Sequence, residues 1–168
     1  MKVILDQNTM ERTIRRISYE IIEKNQDLAS VVILGIQTRG IILGKRIAAN
    51  IEAIEGIQIP FYPLNVRPFR DDLKEVLPKG LPSIDITGKV VILADDVLYT
   101  GRTIRAGLDA VMEIGRPAKI QLAILIDRGH RELPITANYV GKNIPTSHSE
   151  KVQVHFQETD GIEQVILS

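Results

Sequence analysis

Hydrophobic residues recur with a helical period in three parts of the chain. In the first part, apolar positions are separated by four or three residues, as in Met10, Ile14, Ile17 and Ile21. This spacing gathers them on one face of an amphipathic helix. The same period occurs twice more, so that the three predicted helices span residues 8–25, 41–54 and 100–115.

Short continuous apolar runs separate these helices and predict buried strands. The three strongest runs cover residues 31–34, 89–94 and 120–126. Strands that alternate with helices form a parallel sheet with helices on both faces, and such strands are rich in valine and isoleucine. We therefore predict an α/β fold with a mostly parallel central sheet flanked by helices.

Weaker β patterns accompany this core pattern. Residues 57–66 contain Pro60 and Pro63, which restricts them to an edge strand or an interrupted strand. Near the end of the chain, short runs predict a small added β region of antiparallel strands, at residues 139–140, 152–156 and 165–167.

The segment 67–85 differs from its surroundings because it mixes charged residues with three prolines and a glycine. Loops of this length inside compact domains are usually functional or disordered. We therefore predict a long mobile loop over residues 67–85. The 168 residues of the chain match the length of one domain, so we predict a single domain over residues 1–168.

Composition narrows the possible classes of protein. The chain has no cysteine, which excludes disulfides, cysteine-ligated zinc sites and thiol catalysis. Its 21 basic and 21 acidic residues cancel, whereas general nucleic-acid binders are usually basic, so nucleic-acid contact would require a local basic patch. Apolar runs stay below the roughly 18 residues of a membrane helix. Asp6 precedes any signal-peptide core, and we expect a cytoplasmic protein.

The strongest chemical signal lies between the strand predicted at 89–94 and the helix that follows it. Thr100, Gly101 and Thr103 stand at the start of that helix. The first backbone N–H groups of a helix have no partner within it, and the helix dipole adds partial positive charge there. Gly101 allows close approach of the backbone, and the threonines add hydroxyl donors. This segment therefore predicts a phosphate site.

Two acidic residues, Asp95 and Asp96, directly precede the predicted phosphate site. They would repel a phosphate, but they could accept hydrogen bonds from neighbouring hydroxyl groups, as on a ribose. Open α/β sheets bind ligands in the crevice at the carboxyl ends of their strands. An ordinary strand-turn-helix connection with capping aspartates is the structural alternative, but it would not require two acids followed by Thr-Gly-Arg-Thr.

Residues 91–103 resemble the binding signature for 5-phosphoribosyl-1-pyrophosphate (PRPP) in type I phosphoribosyltransferases. Nearly the whole chain is similar to the PyrR family, whose members are regulators of pyrimidine operon attenuation and uracil phosphoribosyltransferases. The segments that carry this wider resemblance are residues 35–40, 67–72, 127–135 and 141–147. The resemblance implies a type I phosphoribosyltransferase fold and makes the loop at 67–85 a mobile active-site loop.

The resemblance also implies roles for particular residues. Asp95 and Asp96 would bind the ribose hydroxyls, directly or through water ordered by Mg²⁺, and they would be catalytic together with Arg70 of the mobile loop. The base would lie near Arg128 and Val152. The PRPP-binding loop would comprise Val97, Leu98, Tyr99, Thr100, Gly101, Arg102 and Thr103, the last four holding the 5′-phosphate. The pyrophosphate would be held by Thr38, Arg39 and Gly40, although this tripeptide is equally common in plain turns.

The implied reaction converts uracil and PRPP into UMP and pyrophosphate, with Mg²⁺ as the cofactor that neutralises the leaving pyrophosphate. Positioning and charge stabilisation would accelerate it without a covalent nucleophile. The sequence does not identify a general base.

A second implied activity is the binding of a stem-loop in pyrimidine-leader mRNA when UMP or UTP is present, which promotes transcription termination. The candidate RNA-binding residues are Arg15, Arg16, Tyr19, His130, Arg131 and Lys142, with Arg12 and Lys151 as further basic positions. A solvated cationic surface is the plain alternative for each of them. Thr136 and Tyr19 stand where many relatives carry arginine and histidine, and these departures concern RNA recognition more than the nucleotide site.

Two alternatives to a bifunctional regulator remain at this point. The chain could be a phosphoribosyltransferase for nucleobase salvage only, because purine enzymes share the signature at 95–103. It could also be a nucleotide-sensing RNA binder without catalysis, which the intact acidic pair argues against. The resemblance further implies a homodimer or a higher homo-oligomer.

Overall fold

The computed structural model describes residues 1–71 and 80–168, which form two β-sheets and four α-helices. The strands are β1 (Lys2–Leu5), β2 (Val31–Ile36), β3 (Phe61–Leu64), β4 (Val90–Leu98), β5 (Lys119–Asp127), β6 (Tyr139–Asn143), β7 (Val152–His155) and β8 (Gln164–Leu167). The helices are α1 (Gln7–Lys24), α2 (Arg39–Glu55), α3 (Arg102–Ile114) and α4 (Gln157–Asp160).

The larger sheet is entirely parallel and has the strand order β3-β2-β4-β5-β6. Its central strand, β4, pairs with β2 on one side and with β5 on the other. Both neighbours are rich in valine, isoleucine and leucine and almost fully buried, as expected for strands covered on both faces. The predicted α/β class with a mostly parallel central sheet is confirmed.

Alternate residues of the central strands belong to two separate hydrophobic cores, as the alternation of side chains in a strand requires. Ile33 of β2 and Ile92 of β4 pack with α1 and α2 on one face. Leu34 and Leu93 pack with α3 on the other face. The apolar positions that predicted the first helix, such as Met10, are completely buried in the first core.

The smaller sheet is antiparallel and has the order β1-β8-β7, with α4 between β7 and β8. Val154, Phe156 and Val165 of this part join the core formed by α1 and α2, and β7 contacts β4. The predicted small added β region is therefore confirmed for β7 and β8.

Three features of the fold differ from the sequence-based prediction. The predicted antiparallel strand at 139–140 is wrong, because β6 extends to Asn143 and pairs in parallel with β5. β4 continues four residues beyond Ala94, since Asp95, Val97 and Leu98 still pair with β5. β1 was not predicted, although its run Val3-Ile4-Leu5 is as apolar as the one that predicted β8.

The predicted mobile loop over residues 67–85 lies only partly within the described residues. Arg67–Phe69 form a short 3₁₀ turn, while residues 72–79 lie outside the described residues. The loop therefore remains a prediction. Within the described ranges, no helix is both long and apolar enough to cross a membrane.

Candidate active site

The predicted site residues converge at the carboxyl ends of neighbouring parallel strands. β2 ends at Ile36 and is followed by Thr38 and Arg39, while β4 ends at Leu98 after Asp95 and Asp96. Because β2 and β4 pair in parallel, these two strand ends meet at one edge of the sheet. This edge is where open α/β sheets bind ligands.

The phosphate loop, which we define as residues 97–103, turns from β4 into α3. Gly101 precedes the helix with a φ of 93°, a left-handed conformation that favours glycine. α3 therefore begins two residues later than predicted, at Arg102. The backbone N–H of Arg102 donates to Thr100 Oγ1 at 3.3 Å. Residues 97–104 line a cavity of about 300 Å³.

Arg70 also lines the cavity of the phosphate loop. The structure thus brings this arginine to the loop from a distant part of the sequence. The nearby Asp71 carboxylate accepts hydrogen bonds from Arg102 Nη1 at 2.9 Å and Arg105 Nη1 at 3.1 Å. These bonds connect the start of α3 to the segment that contains Arg70.

The two carboxylates of β4 differ in their surroundings. Asp95 is 6% exposed, and its Oδ1 accepts the backbone N–H of Asp96 at 2.9 Å. Burial, reinforced by the neighbouring Asp96 carboxylate, raises the pKa of Asp95 well above its ordinary value. Asp96 is half-buried and lines a second cavity, so it is the carboxylate of the pair that a ligand could reach.

This second cavity measures about 180 Å³ and combines Asp96 and Arg39 with residues 152–155 of β7. Arg39 approaches it because α2 starts very close to β4, where a side chain at Gly40 would collide with the backbone of Ala94. Val152, one of the two residues predicted near the base, also lines this cavity.

Arg128, the other predicted base-site residue, is buried. Its guanidinium lies 3.9 Å from the centre of the Tyr99 ring. Its Nη2 donates to the carbonyl oxygens of Ser147 at 3.1 Å and Glu150 at 2.8 Å. Arg128 therefore supports Tyr99 of the phosphate loop and fixes the segment before β7.

The segment after β5 holds the phosphate loop in place. The Thr100 carbonyl accepts the backbone N–H groups of Glu132 at 2.9 Å and Leu133 at 3.1 Å. Arg131 Nη1 donates to the Tyr99 carbonyl at 2.8 Å, and its Nη2 pairs with Asp127 at 2.6 Å. Arg131, predicted as an RNA contact, is thus bound to the phosphate loop through its side chain.

The other predicted RNA-binding residues lie in two places. Arg15 and Arg12 of α1 line a cavity of about 450 Å³ together with Arg46 of α2. Arg16, also on α1, donates to the carbonyl oxygens of Val140 and Gly141 in β6. The exposed residues Tyr19 and Lys142 lie on these same two elements, α1 and β6.

His130 lies instead beside the phosphate loop. Its ring is edge-on to Tyr99 with centroids 6.1 Å apart, and it is 3.9 Å from the ring of His148. Lys151 is exposed immediately before β7.

Several residues of this site were not found from the sequence. Glu132 pairs with Arg102, Asp71 pairs with Arg102 and Arg105, and Asp160 pairs with Arg39. Each partner lies at least thirty positions away in sequence. No local pattern could have revealed these pairs.

The described residues contain no group of three or more His, Cys, Asp or Glu side chains that could hold a metal ion. The sequence-based prediction of a metal position therefore rests on the carboxylate pair Asp95–Asp96 alone, of which Asp96 lines the Arg39 cavity. Mg²⁺ is commonly bound by one or two carboxylates together with substrate phosphates and water, so two carboxylates suit it.

A parallel sheet whose central strand ends in two aspartates and leads into a phosphate loop has the type I phosphoribosyltransferase fold. The family model for the phosphoribosyl transferase domain matches residues 1–159. The fold is shared with hypoxanthine phosphoribosyltransferase of Trypanosoma cruzi, with a TM-score of 0.79 at 16% identity over 99% of this chain and 94% of that one.

Relatives of much higher identity narrow the class further. The chain is 55% identical over 166 residues to the bifunctional protein PyrR of Lactococcus lactis subsp. cremoris, covering 99% of this chain and 96% of the relative. The same values hold for the pyrimidine operon regulatory protein of Lactococcus lactis subsp. lactis. The chain therefore belongs to the PyrR family of phosphoribosyltransferases, as its sequence motifs predicted.

Proposed function

We propose that this chain is a uridine-nucleotide-dependent RNA-binding regulator of pyrimidine genes that also forms UMP and pyrophosphate from uracil and PRPP. The observation that carries the proposal is the meeting of three chemically distinct groups at one sheet edge. They are the phosphate loop, the acidic pair of β4 and the cationic start of α2. PRPP has a phosphate, a ribose and a pyrophosphate that match these groups in the same order.

Each group then has a defined role. The backbone N–H groups and hydroxyls of Thr100, Gly101, Arg102 and Thr103 bind the 5′-phosphate, and residues 97–99 line the same site. Asp95 and Asp96 accept hydrogen bonds from the ribose hydroxyls. The segment Thr38, Arg39 and Gly40 holds the pyrophosphate, while Val152 and Arg128 border the base.

Catalysis in this proposal rests on positioning and on charge. The ribosyl centre gains positive character as its bond to pyrophosphate breaks, and in this proposal the acidic pair of β4 stabilises that charge. Mg²⁺, when bound at the acidic pair directly or through water, supplies charge neutralisation for the pyrophosphate. Arg70 adds a further cation at the phosphate loop. It belongs to the proposed active-site loop over residues 67–85. We propose that this loop is part of a single domain over residues 1–168.

RNA binding is assigned to the basic surface of α1 and β6, which contains Arg12, Arg15, Arg16, Tyr19 and Lys142. Clustered cations bind the phosphate backbone, and an exposed tyrosine can stack on an unpaired base. His130 and Arg131 are assigned to RNA binding as well, and both contact Tyr99 of the phosphate loop, which gives bound nucleotide a route to these two RNA contacts. A homodimer or higher homo-oligomer would bring two such surfaces together.

An enzyme without RNA regulation is the second candidate. The engagement of Arg131 within the fold favours it, because a side chain with three intramolecular acceptors is less available to RNA. Thr136, where many relatives carry arginine, weakens the same surface.

The test is binding of a labelled pyrimidine-leader stem-loop RNA with and without UMP across a salt series, beside an assay of UMP synthesis. We expect UMP to tighten RNA binding and added salt to weaken it steeply, because phosphate contacts release counterions. UMP synthesis without RNA binding at low salt would favour the enzyme alone. RNA binding without UMP synthesis would favour a sensor that has lost catalysis.

A further inference from the structure

Asp160 ends the short helix α4, in the connection between the antiparallel strands β7 and β8. Its Oδ1 accepts a hydrogen bond from Arg39 Nη2 at 2.7 Å, across 121 positions of sequence. This ion pair connects the antiparallel sheet to the start of α2, beside the acidic pair of β4. It is therefore a direct link from the C-terminal part of the chain to the proposed pyrophosphate site.

The carboxylate of Asp160 is itself held firmly. Its Oδ2 accepts the backbone N–H of Phe156 at 2.9 Å and the hydroxyl of Thr159 at 2.9 Å. Although burial opposes ionisation, the hydrogen bonds from Arg39, Phe156 and Thr159 lower the pKa of Asp160 to about 2. Arg39 thus binds a carboxylate that is fixed in place and charged at neutral pH.

Arg39 is the residue whose position this carboxylate determines. Its side chain lines the cavity that also contains Asp96. A free arginine side chain samples many rotamers, and fixing it when a ligand binds costs conformational entropy. The bond from Nη2 to Asp160 removes much of that freedom beforehand. Nε of Arg39 is buried without an acceptor among the described residues, so the guanidinium retains unused hydrogen-bonding capacity.

We propose that Asp160 is a positioning residue for pyrophosphate: it holds the Arg39 guanidinium at the cavity beside Asp96, and so sets the affinity for PRPP and pyrophosphate. This inference rests on the proposed function, in which Arg39 contacts the pyrophosphate. Asp160 acts through Arg39 and does not itself contact the substrate. A ligand that lacks pyrophosphate, such as UMP, gains nothing from the arrangement.

Asp160 could affect pyrophosphate affinity either by positioning Arg39 or by cancelling part of its charge. The two effects have opposite signs, so a binding measurement distinguishes them. A carboxylate beside a cation also cancels part of its charge, which weakens attraction for an anion. If cancellation dominated, removing the charge of Asp160 would tighten pyrophosphate binding. If preorganisation dominates, as we propose, the same change weakens it.

The primary experiment compares the full-length wild type with Asp160→Asn by calorimetric binding of pyrophosphate and of UMP, both with Mg²⁺. We expect pyrophosphate binding to weaken roughly tenfold, the effect of losing one charge-assisted hydrogen bond. Binding of UMP should stay within about twofold of the wild type. The KM for PRPP should rise with pyrophosphate affinity, whereas a general loss of folding would weaken both ligands together.

Glu158→Gln is the matched control. Glu158 lies on the same short helix and also pairs with an arginine of α2, but its partner is Arg46 rather than Arg39. We expect this variant to bind pyrophosphate like the wild type. Equal weakening in both variants would assign the effect to docking of the antiparallel sheet and overturn the role of Asp160.

A double-mutant cycle with Arg39→Ala tests whether Asp160 acts through Arg39. With Arg39 absent, Asp160→Asn should change pyrophosphate affinity no further, whereas additive losses would contradict the inference. Arg39→Lys keeps the charge without the guanidinium fork, and it should resemble Asp160→Asn in binding. Wild-type protein that fails to bind pyrophosphate would refute the proposed function as well. Unchanged binding in Asp160→Asn beside an active wild type would refute this inference alone.

Discussion

Asp95 is the residue in which function and stability oppose each other. Its carboxylate is buried next to a second carboxylate at the end of the central strand. Folding raises the pKa of Asp95, so the folded state holds this proton more tightly than the unfolded state. The group therefore lowers stability increasingly as pH rises above the pKa of the unfolded state. The site therefore retains a buried ionisable residue that the fold alone would not favour.

We expect Asp95→Asn to abolish UMP synthesis and to raise the melting temperature at neutral pH. The amide keeps an acceptor for the backbone N–H of Asp96 but removes the buried ionisable group, whose raised pKa costs stability. A gain of about 1 kcal/mol corresponds to roughly 2–4 °C for a chain of this size. Differential scanning calorimetry at several pH values should show the gain growing as pH rises.

The control for this prediction is Asp96→Asn, because Asp96 is half-buried and lines the ligand cavity. It should also lose turnover, but without the gain in melting temperature. A lower melting temperature for Asp95→Asn would show that its carboxylate contributes to folding. Persistent turnover in the doubly substituted Asp95→Asn, Asp96→Asn protein would contradict the assignment of the ribose site.

At the scale of single elements, the phosphate loop depends on a backbone conformation and on the segment that packs against it. Gly101 has a φ of 93°, and a side chain there would come within 3.4 Å of Ile135 Cδ1 and 3.5 Å of Leu133 Cβ. These are ordinary van der Waals distances, so the left-handed backbone is what penalises a residue with a side chain.

We expect Gly101→Ala to lower stability by about 1–2 kcal/mol, the usual cost of a left-handed conformation for a residue with a side chain. It should also raise the KM for PRPP, since relief of the left-handed backbone at residue 101 would move the loop. Thermal unfolding and steady-state kinetics measure the two effects.

Gly56→Ala provides the comparison, since Gly56 has a φ of 69° at the end of α2 and nothing lies within 4 Å of its added side chain. It should lose similar stability with an unchanged KM. An unchanged KM in both variants would mean that the phosphate loop tolerates displacement.

Elements with a clear period could be predicted from the sequence. The first helix matched closely because its apolar face is buried without exception at Met10, Ile14, Ile17 and Ile21. The end of β4 could not be predicted, because Asp95 and Asp96 interrupt its apolar pattern although their backbone still pairs with β5. The direction of β6 depends on its partner strand, which no local pattern specifies.

The candidate site could likewise be predicted only where the signal is local in sequence. Residues at strand ends were identified because loop chemistry is local, as in Thr100 to Thr103. The contacts of Arg131 and the pairing of Arg39 with Asp160 arise from tertiary structure, so sequence alone suggested an RNA role for one and no role for Asp160. The roles of these residues in binding PRPP and RNA remain predictions, which the experiments described above would test.

At the scale of the whole molecule, ion pairs join the antiparallel sheet to α2. Arg39 pairs with Asp160, while Arg46 pairs with both Glu158 and Glu163 and lies 4.8 Å from the Phe156 ring centre. The pKa of Asp160 is about 2, lowered from 3.8, so its pair contributes stability that is present above the unfolded value. That contribution is lost as pH falls toward 2.

We therefore expect the wild type to lose more melting temperature than Asp160→Asn when pH falls from roughly 4 to roughly 2, the interval between the two pKa values. Circular dichroism melts across this interval measure the difference. Ser168→Ala serves as a neutral reference at an exposed position. Parallel curves for the wild type and Asp160→Asn would mean that the pair adds no stability linked to protons.

The alternation of β4 between the two hydrophobic cores also limits how the chain can vary in length. One residue inserted between Val90 and Ala94 would exchange the two faces of the strand, sending Leu93 toward α1 and α2 and displacing the acidic pair. Insertions and deletions that leave the site intact are therefore expected in surface connections, such as the end of α2 near Gly56. In this family, we expect the length of the central strand to stay constant, while the surface connections vary in length.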